Sequence, residues 1–307
     1  QSSGSDNPSP RAPRPDPSLD RLASIFDSYG ALDGFREVRC LGRGSFGQAI
    51  LMRSTAGEQI VAKRLHLAGI SQSELARLET EVRVCAKLRH PCIVHYLGTV
   101  VRSDTSHGDT MYICQEHAAG GTLADRIDKH ATAQRPFHVD VAVSWIVQIS
   151  SAVAYMHSER TLHRDLSAQN VFLSANEDIK VGDFGLSKVG QSSLHSISGI
   201  TICGTPNYFS PEMIRGEPYG TASDTWAVGL LAHEILTLKH PFVGTSMALL
   251  FQRILACEYD EAALNVAAYP EALKVVASRD QLLHTDPRAR LTLDTLLARP
   301  MFAFQSS

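Results

Sequence analysis

The chain has 307 residues, of which 44% are hydrophobic and 20% charged, and its formal net charge is −3. This composition is typical of an ordinary globular protein, long enough for one large domain or for two lobes around a cleft. The slightly negative charge argues against strong binding to nucleic acid or an anionic membrane. The sequence contains no uninterrupted run of 18 apolar residues, the length that would predict a membrane span.

Six cysteines are scattered along the chain, and no two of them form a C-x-x-C pair. Their mostly apolar surroundings favour reduced thiols in a cytosolic or nuclear protein over disulfides or a zinc site. The densest histidine cluster, H90-P-C-I-V-H95, has no partner at the spacing of a tetrahedral metal site, which favours ordinary histidines. We therefore expect a cytoplasmic protein without a structural metal.

The composition changes sharply near the start of the chain. Residues 1–30 are rich in Ser, Pro, Asp and Arg, and a segment so poor in apolar residues cannot offset its ordering entropy, which predicts a disordered tail. From residue 35 to 304 the apolar patterning is that of one folded domain. F35-R-E-V-R-C-L, Q48-A-I-L-M-R-S and E58-Q-I-V-A-K-R-L each predict a half-buried strand.

Glycines Gly42, Gly44 and Gly47 join the first two strands in the order G-x-G-x-x-G. The same pattern occurs in dinucleotide-binding folds and in ordinary turns, so it is weak evidence alone. A dinucleotide site requires a helix after the glycines, whereas here a strand follows. The context therefore favours a hairpin flap that covers a triphosphate.

Lys63 lies in the third predicted strand, within an apolar run. It is either an edge lysine that reaches solvent or a cation that binds the α and β phosphates and needs an acidic partner. The following segment opens with a capping box, Ser71 to Glu74, and has a helical apolar stripe. Glu81 lies beside that stripe and is preferred as the partner over Glu79, which falls on the more polar side.

Two further strands are predicted at C92-I-V-H-Y-L-G-T-V-V and M111-Y-I-C-Q-E-H, and long helical patterns follow A119-G-G-T. Among them are V139-D-V-A-V-S-W-I-V-Q-I-S-S-A-V-A-Y-M-H and D224-T-W-A-V-G-L-L-A-H-E-I-L. This order predicts an α+β fold with two lobes, a small β-rich lobe at about 35–115 and a larger helical lobe at about 119–304.

Two segments in the helical lobe carry catalytic chemistry. In H163-R-D-L-S-A-Q-N170, Asp165 is placed to accept or orient the proton of a substrate hydroxyl, and Asn170 to hold a metal ion. In K180-V-G-D-F-G-L-S, Asp183 offers a second oxygen ligand. Two hard oxygen ligands together with nucleotide phosphates suit Mg²⁺.

With these motifs in this order, the chain resembles the eukaryotic protein kinases from about Phe35 to Phe304. The Gly-rich loop, Lys63, Glu81, the H-R-D loop, D183-F-G, S210-P-E and S223-D-T-W-A-V-G carry the resemblance. Within that superfamily, four stretches are similar to the NIMA-related (NEK) serine/threonine kinases: L65-H-L-A-G-I-S, E81-V-R-V-C-A-K-L-R-H-P-C-I-V, D183-F-G-L-S-K and C203-G-T-P-N-Y-F-S-P-E.

The resemblance implies a bilobal kinase fold that uses ATP and Mg²⁺, with Glu116 to Ala118 as the hinge, Gln115 behind it as gatekeeper, and Leu173 below the adenine. Ala49 and Val61 exchange the family's usual Val and Ala above the ring, so the volume there is kept. The implied nucleotide-binding residues are Leu41, Gly42, Arg43, Gly44, Ser45, Phe46, Gly47, Ala49, Val61, Lys63, Gln115, Glu116, Ala118 and Leu173.

The resemblance also implies protein substrates and an upstream activating kinase. Arg164 is a cation that a phosphate on the loop from Gly185 to Thr205 could pair with, and Thr201 best matches the activating position. Glu212 with Arg290 and Asp224 with the catalytic loop are expected structural contacts. Cytoskeletal, centrosomal, flagellar or nuclear locations are implied by the resemblance alone.

Ser167 departs from the pattern, because serine/threonine kinases carry at this position a lysine that contacts the γ-phosphate. Its loss predicts a slower transfer but leaves the base, the metal ligands and Lys63 in place. Thr205, before S210-P-E, resembles the serine/threonine type and could narrow the site for a short hydroxyl. The alternatives are a weakly active or pseudokinase nucleotide-binding scaffold and a tyrosine or dual-specificity kinase.

Overall fold

A computed structural model of the chain describes residues 32, 34–44, 47–102, 109–183, 196–197, 200–201 and 206–303, with the backbone alone at 196–197 and 200–201. The predicted tail at 1–30, the loop residues Ser45 and Phe46, Thr205 and the side chain of Thr201 lie outside the described residues. Five of the six cysteines lie in the described parts of the chain, and all five are free thiols, as the sequence predicts.

The β-rich lobe is built around an antiparallel sheet in the order β1-β2-β3-β5-β4. One face of this sheet packs a small apolar cluster that includes Leu32, Ile50 and Ile60. The other face looks onto the helical lobe. The strands are β1 (Phe35–Gly44), β2 (Gly47–Ser54), β3 (Gln59–His66), β4 (Tyr96–Arg102) and β5 (Thr110–Glu116).

Strand β4 begins at Tyr96, four residues after the predicted start at Cys92. Residues 92–94 instead pair with the helical lobe: the Val94 amide donates to the Val181 carbonyl at 2.8 Å, and the Val181 amide donates to the Cys92 carbonyl at 2.8 Å. This short segment therefore ties the sheet to the catalytic side of the other lobe.

Helix α1 (Gln72–Lys87) begins with the predicted capping box, in which Ser71 and Glu74 satisfy each other's backbone amides. Its buried residues are Leu75, Leu78, Val82 and Cys85. They fall at three- and four-residue spacing, which places them on one face of a helix. The predicted apolar stripe is thus the face by which α1 packs into the core.

The larger lobe is helical and closes the cleft from below. Its core helices are α3 (Val139–Ser158) and α5 (Thr221–Thr237), which pack against each other. By length and composition alone α3 could cross a membrane, but ten of its residues are buried in the core, as in the core helix of a globular protein. The other helices are α2 (Leu123–Thr132), α4 (Pro211–Ile214), α6 (Met247–Ala256), α7 (Glu261–Val266), α8 (Glu271–Lys274), α9 (Leu293–Leu297) and α10 (Pro300–Ala303).

Two hairpins of very short strands complete the architecture. Strands β6 (Val171–Leu173) and β7 (Ile179–Val181) lie directly after the catalytic loop and directly before Asp183. Strands β8 (Ser196–Ile197) and β9 (Ile200–Thr201) form the second hairpin. The β6–β7 hairpin is what brings the two catalytic segments, distant along the chain, to the same edge of the cleft.

Candidate active site

One cleft between the sheet and the helical lobe collects most of the predicted site residues. The predicted nucleotide-binding residues that line it are Leu41, Gly42, Arg43, Gly47, Ala49, Val61, Lys63, Gln115, Glu116 and Ala118. The predicted catalytic residues Asp165, Asn170 and Asp183 line the same cleft. Upper and lower walls thus come from different lobes.

The upper wall follows from strand register. Ala49 is paired with Lys63 across β2 and β3, and Lys63 is paired with Ile113 across β3 and β5. Directly paired residues in an antiparallel sheet project to the same face. Val61 lies two residues before Lys63, and its side chain therefore also faces the cleft. The exchanged pair Ala49 and Val61 accordingly sits together in the upper wall.

Two glycines of the G-x-G-x-x-G pattern, Gly42 in β1 and Gly47 at the start of β2, have different structural roles. Gly47 has φ +141°, and a Cβ there would lie 1.8 Å from the Arg64 carbonyl oxygen, so only glycine lets β2 approach β3 here. A Cβ on Gly42 would meet nothing within 4 Å. Gly47 is therefore required by the sheet itself, and Gly42 leaves open space in the wall of the cleft.

The prediction that Leu173 lies below the adenine, on the floor of the cleft, is wrong. Leu173 is fully buried in the core, and the residue of β6 that lines the cleft is Phe172. Successive side chains of a strand point to opposite faces, so a prediction displaced by one residue moves from the cleft to the core. The alternation of Val171, Phe172 and Leu173 was the signal that could have placed Phe172 in the cleft.

Lys63 is held in place by an ion pair across the cleft. Its Nζ contacts Oδ1 of Asp183, and the two side chains are 18% and 38% exposed. Asp183 has φ 58°, in the left-handed region that non-glycine residues adopt uncommonly. The predicted phosphate-binding cation and one predicted metal ligand are therefore direct neighbours, and both retain access to solvent.

Glu79 and Glu81 of α1 lie in different surroundings, as the helical wheel predicts. The ion pair of Lys63, however, is not the predicted one with Glu81. Glu79 accepts from its helix neighbour Arg83 at 2.8 Å. Burial raises the pKa of the Cys85 thiol, on the same helix, to about 12; the positive charge of Lys63 lowers this pKa, and the negative charges of Glu81 and Asp183 raise it. Glu81 therefore lies near the same thiol as the two charged groups of the cleft. Among the ion pairs of the described residues, Lys63 is paired with Asp183 and not with Glu81, because Asp183 lies at the tip of its side chain.

The catalytic loop holds Asp165 and Asn170 together. The Asn170 amide nitrogen donates to the Asp165 carbonyl at 2.7 Å and to the Asp165 carboxylate at 3.0 Å. The Asn170 carbonyl accepts from the Gly182 amide at 2.9 Å, which joins this loop to the residue before Asp183. With its nitrogen on Asp165, Asn170 keeps its side-chain oxygen as an acceptor.

His163 is the buried connector of the same loop. Its Nε2 lies 3.1 Å from the Gly182 carbonyl, and its Nδ1 lies 3.4 Å from the Asp165 amide. Complete burial lowers the pKa of His163, so the ring is neutral. A neutral ring with a proton on Nε2 donates to Gly182 and can accept from Asp165, which fits both contacts.

Asp224 of α5 fixes the loop from below, as expected. Its carboxylate accepts from the His163 amide at 3.0 Å, from the Arg164 amide at 3.1 Å and from His157 Nε2 at 2.9 Å, and it also contacts the Tyr219 hydroxyl. Burial pushes the Asp224 pKa upward, but these contacts, first the one from His157, outweigh it and hold the pKa below its usual value.

Arg164 combines a left-handed backbone, φ 70°, with an exposed side chain. Within the described residues its guanidinium takes part in no ion pair. Thr201 is described only by its backbone, in the β8–β9 hairpin, so the predicted contact between the two side chains lies outside the described residues.

Ser167 is not brought to the cleft. It is 2% exposed, it does not line the cleft, and its Oγ has no hydrogen-bond partner among the described residues. Its carbonyl accepts from the Asn170 amide at 3.0 Å, so the backbone of residue 167 shapes the loop although its side chain reaches no substrate position.

Sequence reasoning missed a buried bridge behind the catalytic loop. The Tyr208 hydroxyl accepts from the Ala168 amide at 3.1 Å and donates to Oε2 of Glu234 in α5 at 2.6 Å. Burial raises the pKa of Glu234 to about 7. No spacing rule links residues 168, 208 and 234, and only a glutamate in a long apolar helix hinted at a buried partner.

Comparison with known proteins agrees with this geometry. Residues 35–302 match the family model described as protein kinase domain. "Serine/threonine-protein kinase Nek1" of Mus musculus is 32% identical over 273 residues, 89% of this chain and 22% of the relative. "Probable serine/threonine-protein kinase nek2" of Dictyostelium discoideum is 34% identical over 280 residues, 89% of this chain and 64% of the relative.

A third relative, "Serine/threonine-protein kinase Nek4" of Mus musculus, is 37% identical over 220 residues, 71% of this chain and 27% of the relative. The predicted resemblance to the NIMA-related group is confirmed by these matches. The chain spans less than two thirds of the length of each of these three relatives.

Proposed function

The chain belongs to the protein kinase domain family, and from this premise we propose that it transfers the γ-phosphate of ATP to serine and threonine hydroxyls of protein substrates. The observation that carries the proposal is the convergence of Lys63, Asp165, Asn170 and Asp183 on one cleft from both lobes. Catalysis of phosphoryl transfer consists almost entirely of positioning and electrostatic stabilisation, which is what these four side chains supply.

Asp165 is the group that accepts or orients the proton of the substrate hydroxyl. Its carboxylate is held by the Asn170 amide at 3.0 Å, and its backbone amide faces the buried ring of His163. Because His163 and Asn170 in turn bond to residue 182, the base and the Asp183 segment keep a fixed relation. A base held from two sides loses little entropy when a substrate arrives.

The donor set fits a magnesium ion. Asn170 keeps its side-chain oxygen free of Asp165, and Asp183 offers a carboxylate, so both supply the hard oxygen ligands that Mg²⁺ prefers. When bound, Mg²⁺ neutralises charge on the transferring phosphates. Lys63 lies beside Asp183 in the upper wall and would contact the α and β phosphates.

The hinge would hold the adenine by its main chain. The Glu116 carboxylate is already used within the protein, by Lys180 Nζ at 2.9 Å and by the His95 amide at 2.8 Å. The Glu116 amide is used as well, since it donates to the His95 carbonyl at 2.9 Å. Base recognition therefore falls to the Glu116 carbonyl and the backbone groups of Ala118, with Phe172 below the ring.

An active kinase is favoured over a nucleotide-binding scaffold, because the residues that a pseudokinase usually loses are all present and line one cleft. These residues are Lys63, Asp165 and Asp183. The serine/threonine specificity is supported by the names of the three relatives. An activating phosphate on Thr201, placed by an upstream kinase, would pair with the exposed Arg164.

The test compares phosphate transfer from Mg-ATP to dephosphorylated casein by the wild type, Asp165→Asn and the control Asp280→Asn, which lies on an exposed loop. We expect transfer by the wild type and the control, and a loss of at least about a hundredfold in Asp165→Asn, since it removes the base. Phosphoamino-acid analysis should give phosphoserine and phosphothreonine.

Two outcomes would overturn the proposal. Equal transfer by wild type and Asp165→Asn, or no transfer by either although ATP binds, would exclude the enzymatic role. Phosphotyrosine as the main product would overturn the serine/threonine specificity.

A further inference from the structure

Two arginines lie side by side on neighbouring strands, on the same face of the sheet as the cleft. Arg36 of β1 is paired directly with Arg53 of β2, and Arg53 is paired with Gln59 of β3. Since directly paired residues project to one face, the three side chains stand side by side. The next row along contains Arg39, which is paired with Leu51 of β2.

The position of this row relative to the cleft follows from the same register. Leu51 is paired with Val61, and Val61 with Gln115, so the Arg39 row continues directly into the upper wall of the cleft. Alternate residues of a strand lie about 7 Å apart, so the Arg36–Arg53 row is roughly one such step beyond the wall. The arginines thus extend the cleft face past its hinge end.

His117 of the hinge joins the arginines through Gln59. With the Gln59 amide oriented to satisfy both neighbours, its nitrogen donates to His117 Nδ1 at 3.2 Å and its oxygen accepts from Arg53 Nε at 3.2 Å. Burial lowers the pKa of His117, and the positive charge of Arg39 lowers it further. We call Arg36, Arg39, Arg53 and His117 the hinge-side basic surface.

Among the residues that the structure describes, this surface has no internal counter-charge. In the described part of the chain none of its three arginines forms an ion pair, and the one acid between them on β1, Glu37, is bonded to Arg64 at 3.1 Å. Arg36 and Arg39 are exposed. Like charges directly opposite each other destabilise a sheet, so the Arg36–Arg53 pair costs stability that an anionic ligand would return.

We propose that the hinge-side basic surface binds an acidic segment of a partner protein. Guanidinium groups suit carboxylates because they bond them with two parallel N–H groups. The apolar side chain of Val38, which is 42% exposed, lies on the same strand and can contact an apolar residue of a peptide. A net charge of −3 for the whole chain favours a peptide over a nucleic acid, which requires a broader positive field.

The proposal is tested by fluorescence anisotropy with a short fluorescein-labelled polyglutamate peptide. The proteins are the wild type, Arg36→Gln/Arg53→Gln, and the control Arg77→Gln/Arg288→Gln. The control changes the net charge equally at two exposed arginines that form no ion pair in the described parts of the chain. Neither variant pair alters a residue placed in the catalytic cleft.

We expect the wild type to bind and the affinity to fall with salt, since the contacts are between exposed charges. Arg36→Gln/Arg53→Gln should weaken binding by about tenfold or more, because it removes two charge-assisted contacts, and the control should change it less than about twofold. The melting temperature of the first variant should stay the same or rise, because a like-charge pair is removed. Casein phosphorylation should be unchanged.

A second variant tests the proposal if the double variant fails to fold. Arg36→Glu places an acid opposite Arg53, which should preserve or raise stability while weakening peptide binding. The proposal is overturned if the wild type does not bind polyglutamate at low salt, or if the Arg36→Gln/Arg53→Gln variant and the control variant lose affinity equally. It is also overturned if a polyglutamine peptide of the same length binds with the same affinity as polyglutamate. Tighter binding of a single-stranded DNA of equal charge would assign the surface to nucleic acid instead.

Discussion

Two ion pairs, one in the helical lobe and one in the cleft, share the same chemistry but have opposite surroundings. Glu212 and Arg290 are 3% and 1% exposed in their side chains, and the two groups bond at 2.8 and 3.0 Å. Lys63 and Asp183 are 18% and 38% exposed. The first pair lies inside a lobe and the second lies between lobes.

The buried pair is satisfied entirely by the chain. Glu212 also accepts from the Ser223 hydroxyl at 2.8 Å, and Arg290 also donates to the His284 carbonyl and lies 5.1 Å from the ring centre of Trp226. Burial raises the Glu212 pKa, but the Arg290 contacts outweigh it and hold the pKa below its usual value. The predicted structural salt bridge is confirmed, and no capacity is left there for a ligand.

The cleft pair is the reverse case. Lys63 and Asp183 have one another and retain solvent access, so an incoming phosphate or cation can replace water rather than protein contacts. Removing one residue of the Glu212–Arg290 pair should therefore lower the free energy of unfolding. Removing one residue of the Lys63–Asp183 pair should instead lower catalytic activity.

The largest expected effect is on stability, from Arg290→Met. It leaves Glu212 buried and without its cation, and breaking a buried pair in this way costs about 3–5 kcal/mol. Denaturant unfolding measures the free energy, and Arg288→Met, at an exposed site two residues away, is the control. A loss below about 1 kcal/mol would mean that the pair is not a stabilising element.

Lys63→Met should have nearly as large an effect, but on catalysis. Removing a cation that stabilises the transferring phosphates costs roughly 10²- to 10³-fold in kcat. The melting temperature should hardly change, because Lys63 is half-buried and its pair is open to solvent. Steady-state kinetics and calorimetry measure the two quantities, with the exposed Lys239→Met as control. A large fall in melting temperature would show that the cleft pair is structural after all.

Glu234 differs from Glu212, because it is a buried acid that forms no ion pair with a Lys or Arg among the described residues. His240 lies 3.8 Å away, but burial lowers the His240 pKa to about 4, so at neutral pH the ring carries no charge. With the Glu234 pKa raised to about 7, the folded protein holds a proton that the unfolded chain releases above the ordinary glutamate pKa of 4.5. Stability therefore falls as the pH rises between those values.

Glu234→Gln tests this pH dependence while keeping an acceptor for the Tyr208 hydroxyl. Between about pH 5.5 and about pH 8 the wild type should lose about 1–2 kcal/mol more stability than the variant. Denaturant unfolding at both pH values measures the difference. Parallel pH curves for the two proteins would show that Glu234 does not titrate as described.

The smallest effect is expected at Ser167. Its buried Oγ has no partner within the described residues, so Ser167→Ala should leave kcat unchanged and raise stability by less than about 1 kcal/mol. Ser223→Ala is the matched control, since Ser223 is equally buried at 2% but donates to Glu212. It should destabilise by about 1–3 kcal/mol. A marked fall in kcat for Ser167→Ala would show that this hydroxyl acts in catalysis.

Short-range patterns predicted the elements that build the site. The capping box at Ser71 and the apolar stripe of α1 depend on neighbours three or four residues apart, and both are present. The spacing of Asp165 and Asn170 likewise predicted a base and a metal ligand within one loop, and the structure adds a hydrogen bond between the two side chains. The floor residue was displaced by one position, because strand alternation makes Phe172 and Leu173 face opposite sides.

Contacts between distant segments were less accessible. The sequence placed Glu81 near Lys63, but it did not reveal that Asp183 would be the closer partner, since that depends on how the two lobes meet. The bridge from Ala168 through Tyr208 to Glu234 and the arginine row across β1 and β2 arise from packing and register.

The motifs, together with the family resemblance that they carry, were enough to assign the two-lobed kinase fold and four residues of the cleft, because those motifs are local and their chemistry demands particular side chains. Folding alone assigned the ion-pair partners, the face of each strand residue and the unpaired charges beside the hinge. The physical reason is that an interaction energy depends on distance and burial, and for residues far apart in the chain both are created only when the lobes pack together.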